Sequence, residues 1–265
     1  MENETLIRLG AFAGLFLLLA AAEALLPRRP RSQPRARRWL TNWALVLLSG
    51  LLLRLVAVAI PLLATGAALD AAARGWGLFN ALAWPAALEV LLCVLALDLL
   101  VWAQHLATHK IPLLWRIHRV HHADRDIDVA TAIRFHPFEI SVSMVLKVSA
   151  VYALGAPAVA VIFFEILLNG MAMFNHANLA LPPQFDGALR RVIVTPDMHR
   201  VHHSIHRDEH DSNYGFSLSL WDRLFGTYRA SPRGGQLGME IGLSQWQDKR
   251  PNRLGWSLLV PFRKP

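Results

Sequence analysis

The chain has one cysteine, Cys93, and it lies inside an apolar run. A single thiol excludes an internal disulfide, a thiolate metal site and an iron–sulfur module. It reads as a small buried hydrophobe. Charge is also scarce, with 17% of the 265 residues ionised against 54% hydrophobic, whereas soluble domains carry about a quarter. No glycine-rich nucleotide fingerprint follows a strand-like run. There is no repeat of solenoid type and no low-complexity tract. Histidine is missing from the first 104 residues and the last 55.

The apolar surplus is gathered into long runs, which points to a multi-pass membrane protein. The first run, Leu6 to Leu26, follows the acidic Glu2 and Glu4, unlike the basic start of a signal peptide. It is read as a retained span. A second extends from about Leu40 to Leu63 and a third from about Leu78 to Gln104. A fourth stretch, residues 138–174, is too long for one span and is broken by Gly155-Ala156-Pro157. It is expected to be a helical hairpin that starts and ends on one side. The fold class expected is therefore all-α: three spans plus a hairpin, under a cytoplasmic helical cap. The organisation expected is 1–104 for the spans, 105–228 for a catalytic region and 229–265 for a tail.

The net charge of +8 does not indicate nucleic acid, since no nucleic-acid module accompanies it. Its densest part, Arg28 to Arg38, lies between apolar runs and suits a cytoplasmic loop at an anionic leaflet. Residues 65–77 then return outside with only Asp70 and Arg74, and Lys110, Arg116, Arg119 and Arg125 return to the cytoplasm. This orientation, expected in a bacterial inner membrane, places residues after Asn175 on the cytoplasmic side.

All twelve histidines fall between His105 and His210. His105 and His109 are four apart at the end of the third span, hence on one helical face. His118, His121 and His122 form an HxxHH pattern after Pro112, a helix-starting position. The pattern returns as His199, His202 and His203 after Thr195-Pro196. Imidazole binds iron, zinc, copper and nickel well, and a reactive metal keeps an open position. Eight or more converging histidines therefore imply two metals. His176 is expected as a further ligand. His136 is read either as a ligand or as a residue that orients one. His206 and His210 are read as hydrogen-bonded polar residues outside the centre. Asp98, two turns before His105, is expected to accept a hydrogen bond from a ligand imidazole or to pair with an arginine. Asp197, Asn178 and Asp222 are expected in similar supporting roles. Glu165, Asn169 and Lys147, inside the hairpin run, either line a cavity or snorkel to the interface.

The ordered series resembles the sterol desaturase and fatty acid hydroxylase superfamily. It runs from Asp98 through His105 and His109, Trp115-Arg116-Ile117-His118 with His121-His122, and Arg134-Phe135-His136-Pro137. It continues through Asn175-His176-Ala177-Asn178, Thr195-Pro196-Asp197-Met198-His199 with His202-His203, and Asn213-Tyr214-Gly215, and it ends with Trp221 to Tyr228. Two departures stand out: the first pair is HxxxH where some members have four intervening residues, and the third box holds one histidine where some hold two. The resemblance implies a di-iron centre at the cytoplasmic face that activates dioxygen to oxidise a lipid. It implies ligation by His105, His109, His118, His121, His122, His199, His202 and His203, with His176. It also implies hydroxylation or monooxygenation ahead of desaturation. Electrons would come from a separate donor, a ferredoxin-like protein or a b-type cytochrome with its reductase, because every histidine is already within the clustered region. A metal transport or storage protein is the alternative the histidines allow.

Overall fold

The computed structural model describes residues 4–59, 63–82 and 84–264. Glu2, the end of the second run at 60–62 and residue 83 lie outside the described residues. Among those described, the chain is helical, and pairing between extended segments is confined to isolated bridges such as Pro27 with Leu179.

Ten helices carry the argument: α1 Glu4–Leu25, α2 Arg35–Ala59, α3 Ala64–Arg74, α4 Leu78–Ala81, α5 Ala86–Lys110, α6 Pro112–His122, α7 Pro137–Leu154, α8 Ala158–His176, α9 Pro183–Leu189 and α10 Pro196–His202. Four of them, α1, α5, α7 and α8, are long and apolar enough to cross a membrane. Their outward faces are bare: Leu9, Leu17, Leu18, Leu91, Val145 and Phe163 are all exposed. Contiguous apolar surface on this scale needs an apolar solvent. α2 is as long as α5 but carries Arg35, Arg37, Arg38 and Arg54.

The third span starts later than its composition suggests. The run from Leu78 divides into α4 and α5, because Pro85 adopts extended backbone as the residue before α5 and cannot continue a helix from α4. The hairpin forms as expected. His136 caps α7 by accepting from Phe138 N–H, Pro137 takes the first helical position, and Gly155 ends the helix in the left-handed region at φ 65°. Gly155 is also in contact with the turn at Trp76-Gly77, where a Cβ would lie 2.7 Å from the Trp76 carbonyl oxygen. Beneath that turn α3, α5, α7 and α8 approach closely over small residues, among them Ala64, Ala67, Ala68, Cys93 and Ala160.

The arginine-rich stretch behaves differently from a loop resting on a leaflet. Arg35 to Arg38 already belong to α2, and the guanidinium of Arg38 is fully buried. It donates from Nε to Asp124 Oδ1 at 2.7 Å and from NH1 to Asp128 Oδ2 at 2.8 Å. Burial would raise the Asp124 carboxyl, but the Arg38 charge and hydrogen bond hold it below the usual range. Arg28 pairs with Asp197, and Arg31 and Arg35 with Glu23. The opposing acids come from three places in the chain, the nearby Glu23, the loop holding Asp124 and Asp128, and the distant Asp197, so this basic stretch binds the protein to itself. Arg37 is exposed.

Residues 239–262 fold back over α6. Trp246, Trp256 and Val260 share a buried cluster with Val120 and Leu45. Arg119 donates to the carbonyls of Val260 and Arg263, and Arg134 to that of Pro251. Arg229 and Arg233 pair with Asp208 and Glu209.

Candidate metal centre

Four helices bring nine imidazoles to one place. α5 ends with His105 and His109 on successive turns, α6 supplies His118, His121 and His122, and α8 ends at His176. α10 supplies His199 and His202, with His203 as the residue after its last turn. α10 is set at the required angle by its start: Thr195 Oγ1 accepts from Met198 N–H and Pro196 occupies the first position. All nine side chains are buried. They divide into two groups whose ring nitrogens lie within 4.8 Å of one another: His105, His109, His118, His122 and His202, and then His121, His176, His199 and His203.

Hydrogen bonding at the outer ring nitrogen fixes where the lone pairs point. His105 Nδ1 faces the Tyr214 carbonyl at 2.7 Å, His202 Nδ1 faces that of Ser212 at 2.7 Å, and His176 Nδ1 faces that of Ala172 at 2.6 Å. A carbonyl only accepts, so each Nδ1 carries the proton and each Nε2 presents a lone pair. Those lone pairs meet. His176 Nε2 lies 3.1 Å from both His121 Nε2 and His199 Nε2, and His105 Nε2 lies 3.2 Å from His118 Nε2. The Nε2 atoms of His109, His122, His202 and His203 are buried with no protein partner. Lone pairs crowded together in a buried space repel unless a cation sits among them. The donor set therefore fits a metal in each group. Burial, reinforced by neighbouring imidazoles, pushes His121, His122, His199, His202 and His203 well below the ordinary imidazole range. They are neutral at pH 7, the form that ligates.

The remaining sequence candidates sit elsewhere. His136 lies outside both groups, because capping α7 directs Nδ1 to Phe138 N–H while Nε2 faces the Leu258 carbonyl at 3.3 Å. Asp98 touches no imidazole and no arginine: Oδ2 accepts from Leu218 N–H at 3.2 Å and Trp221 Nε1 at 2.9 Å. Asp197 pairs with Arg28 and Arg200. Asn178 Oδ1 accepts from Arg29 N–H. Asp222 supports the centre one step removed. It accepts from Trp102 Nε1 and from the N–H groups of Tyr214 and Gly215, which holds the Tyr214 carbonyl against His105. Burial raises the Asp222 carboxyl, and these hydrogen bonds oppose the rise. His210 is buried against Trp115, donates to the Ser204 carbonyl at 3.2 Å, and forms a third group with His109 and Asp211.

One residue the sequence reading passed over is in direct contact with a candidate ligand. Glu139 Oε1 accepts from His118 Nδ1 at 2.6 Å. The available signal was an acid in the first turn of an apolar helix directly after His136-Pro137.

A fatty acid hydroxylase family model matches residues 90–227, just over half the chain and all nine of these histidines. The chain belongs to the fatty acid hydroxylase family. Relatives include ornithine lipid hydroxylase OlsE of Rhizobium tropici, 31% identical over 57% of this chain and 44% of the relative. Human alkylglycerol monooxygenase is 29% identical over 59% of this chain and 34% of its own length. Rat cholesterol 25-hydroxylase is 25% identical over 56% and 49%. The chain spans less than half the length of each of these relatives. No solved structure gives a significant match.

In this member of the family, a cavity of about 570 Å³ leads away from the histidines between the helices. His105, His118 and Glu139 line one end of it, and Phe12, Val46 and Met144 are among its apolar walls. Its volume falls in the range that holds a small lipid-like molecule.

Proposed function

We propose that the chain is a membrane-bound non-haem di-iron oxidoreductase that uses dioxygen to hydroxylate or monooxygenate a lipid. The observation that carries this reading is the meeting of two things: two groups of buried imidazoles with converging ring nitrogens, and a largely apolar cavity that begins at His105 and His118. Iron ions held by the nine histidines would supply the reductive use of dioxygen against an alkyl C–H bond, chemistry beyond any side chain.

The chain's own residues do the rest. Carbonyls of Tyr214, Ser212 and Ala172 hold protons on Nδ1 and aim each Nε2 inward. Glu139 holds the proton on His118 Nδ1 and makes that imidazole a stronger donor. The cavity walls align the lipid and keep water away from the reacting carbon. The relatives named for hydroxylation and monooxygenation support oxygen insertion ahead of desaturation.

The apolar walls also separate this reading from metal transport or storage. A transporter spreads its ligands along a path across the bilayer, whereas the nine histidines gather in one place and Phe12, Val46, Leu53 and Met144 suit an acyl chain. Electrons would come from a separate ferredoxin-like or cytochrome b-type donor, since the reductive use of dioxygen consumes two of them per turnover. The same reading puts the centre on the cytoplasmic side of a bacterial inner membrane, and it is supported by Lys110, Arg116 and Arg125, which follow the apolar run of α5.

Lipid mass spectrometry of cells making the active protein, against cells making a His121→Ala variant, tests the reaction. A lipid gaining the mass of one oxygen only with the active protein is expected. Identical lipid profiles, with no dioxygen consumed by purified protein given a reductant and membrane lipid, would refute the oxygenase reading.

A further inference from the structure

The end of the cavity away from the histidines is charged. Lys147 Nζ of α7 donates to Glu165 Oε1 of α8 at 2.7 Å, and Arg8 of α1 donates to Glu165 Oε2. Arg8 also donates to Thr65 Oγ1 at 2.8 Å and pairs with Glu4 at 2.8 Å. Glu4, Arg8, Thr65, Lys147 and Glu165 all line the cavity that reaches His105 and His118. So the hairpin's ionisable residues face the interior rather than snorkelling to the interface.

Lys147 and Glu165, midway along two apolar spans and joined there by Arg8 and Glu4 from the first turns of α1, require a reason. Packing alone favours apolar side chains, since a buried ion pair gains little over them, and charge at this depth marks function. Glu139, beside the centre, and Lys147, in the cluster, are both on α7 and are separated by roughly 12 Å of helix.

The composition of the cluster selects its ligand. Two cations face two carboxylates, so the cluster carries no surplus charge. An entering carboxylate or phosphate would strip Arg8 and Lys147 from Glu165 and leave that largely enclosed acid unpaired. An ammonium group would displace the cations in the same way. Unused hydrogen-bonding capacity remains: Arg8 Nε is buried without a partner, and the carboxylate oxygens have free lone pairs. A group that accepts one hydrogen bond and donates another, without charge, matches that capacity.

We propose that this charge-balanced cluster anchors an uncharged hydrogen-bonding terminus of a lipid, a hydroxyl or an amide. Holding that terminus roughly 12 Å from Glu139 along α7, it selects which carbon lies at the histidines. The selection of a carbon rests on the oxidation reading above; the binding does not.

The test is equilibrium binding of radiolabelled hexadecanol, hexadecanoic acid and hexadecane to the purified full chain in phosphatidylcholine nanodiscs. Hexadecanol should bind about tenfold tighter than the other two, the worth of a well-placed hydrogen bond or two. The paired replacement of Lys147→Met with Glu165→Leu should erase that preference while iron content stays at the wild-type level. Should this variant fail to assemble, Glu4→Gln with Arg8→Gln removes the other two charges, and the same loss is expected. Equal binding of the three probes, tighter binding of the acid, or a preference that survives both replacements overturns the anchor. Dioxygen consumption on the same wild-type preparations separates the two readings. Alcohol preference without consumption upholds the anchor and overturns the oxidation reading.

Discussion

Replacing His202 by alanine should lower lipid oxidation below about a thousandth of the wild-type rate, because a metal contributes several kcal/mol to the reaction and each 1.36 kcal/mol is tenfold. His202 belongs to the group of five, with Nδ1 fixed on the Ser212 carbonyl and Nε2 buried without a protein partner. Its loss opens one group and leaves the other. His121→Ala does the reverse, since His121 belongs to the group of four and lies 3.1 Å from His176. Each variant should therefore lose one metal preferentially and nearly all activity, while the apolar spans still insert. His206→Ala is the control. His206 stands before a short helix outside all three groups, and most activity should remain. Equal loss in all three variants would show that the effect is on folding rather than on ligation.

Glu139→Leu should reduce metal affinity or activity by about 10- to 100-fold, the usual result of removing the partner behind a ligand imidazole. Glu139 is held in the first turn of α7, and its Oε1 is the acceptor for His118 Nδ1 at 2.6 Å. Leucine leaves that proton without an acceptor in a buried site, and the imidazole is free to turn or to change tautomer. Glu139→Gln should recover a large part of the loss, because its amide oxygen can still accept. A carboxylate that merely packed would show no such rescue. Metal affinity by competition with a chelator reads the effect independently of turnover, and leucine and glutamine variants of equal affinity would exclude the positioning role.

The sequence made the hairpin and the grouping of histidines legible because both are local. Gly155-Ala156-Pro157 between two apolar runs ends one helix and starts the next, and HxxHH places its side chains together within a single helix. The partners behind the ligands were not legible. The carbonyls of Tyr214, Ser212 and Ala172 carry no signature, since every residue has one, and which carbonyl meets an imidazole is decided by packing. Asp98 illustrates the same limit. Its helical position relative to His105 suggested a hydrogen bond to the ring, but Trp221 and Leu218 lie closer to it in the folded chain. His136 gave a misleading signal because a residue before proline that caps a helix has the same composition as one awaiting a metal. The basic stretch from Arg28 resembles a leaflet-facing loop in sequence because three of its acidic partners, Asp124, Asp128 and Asp197, are distant and meet it only after folding.

Each of the two histidine groups should hold its own metal ion. Metal analysis of the protein, extracted gently without chelators and supplied with ferrous iron during growth, tests it most directly. X-ray absorption at the iron edge of the same sample identifies the ligands. The account predicts about two iron atoms per chain with nitrogen ligands from the imidazoles, falling to about one in His121→Ala and in His202→Ala. One tightly bound ion in the wild-type chain, or none, would contradict it.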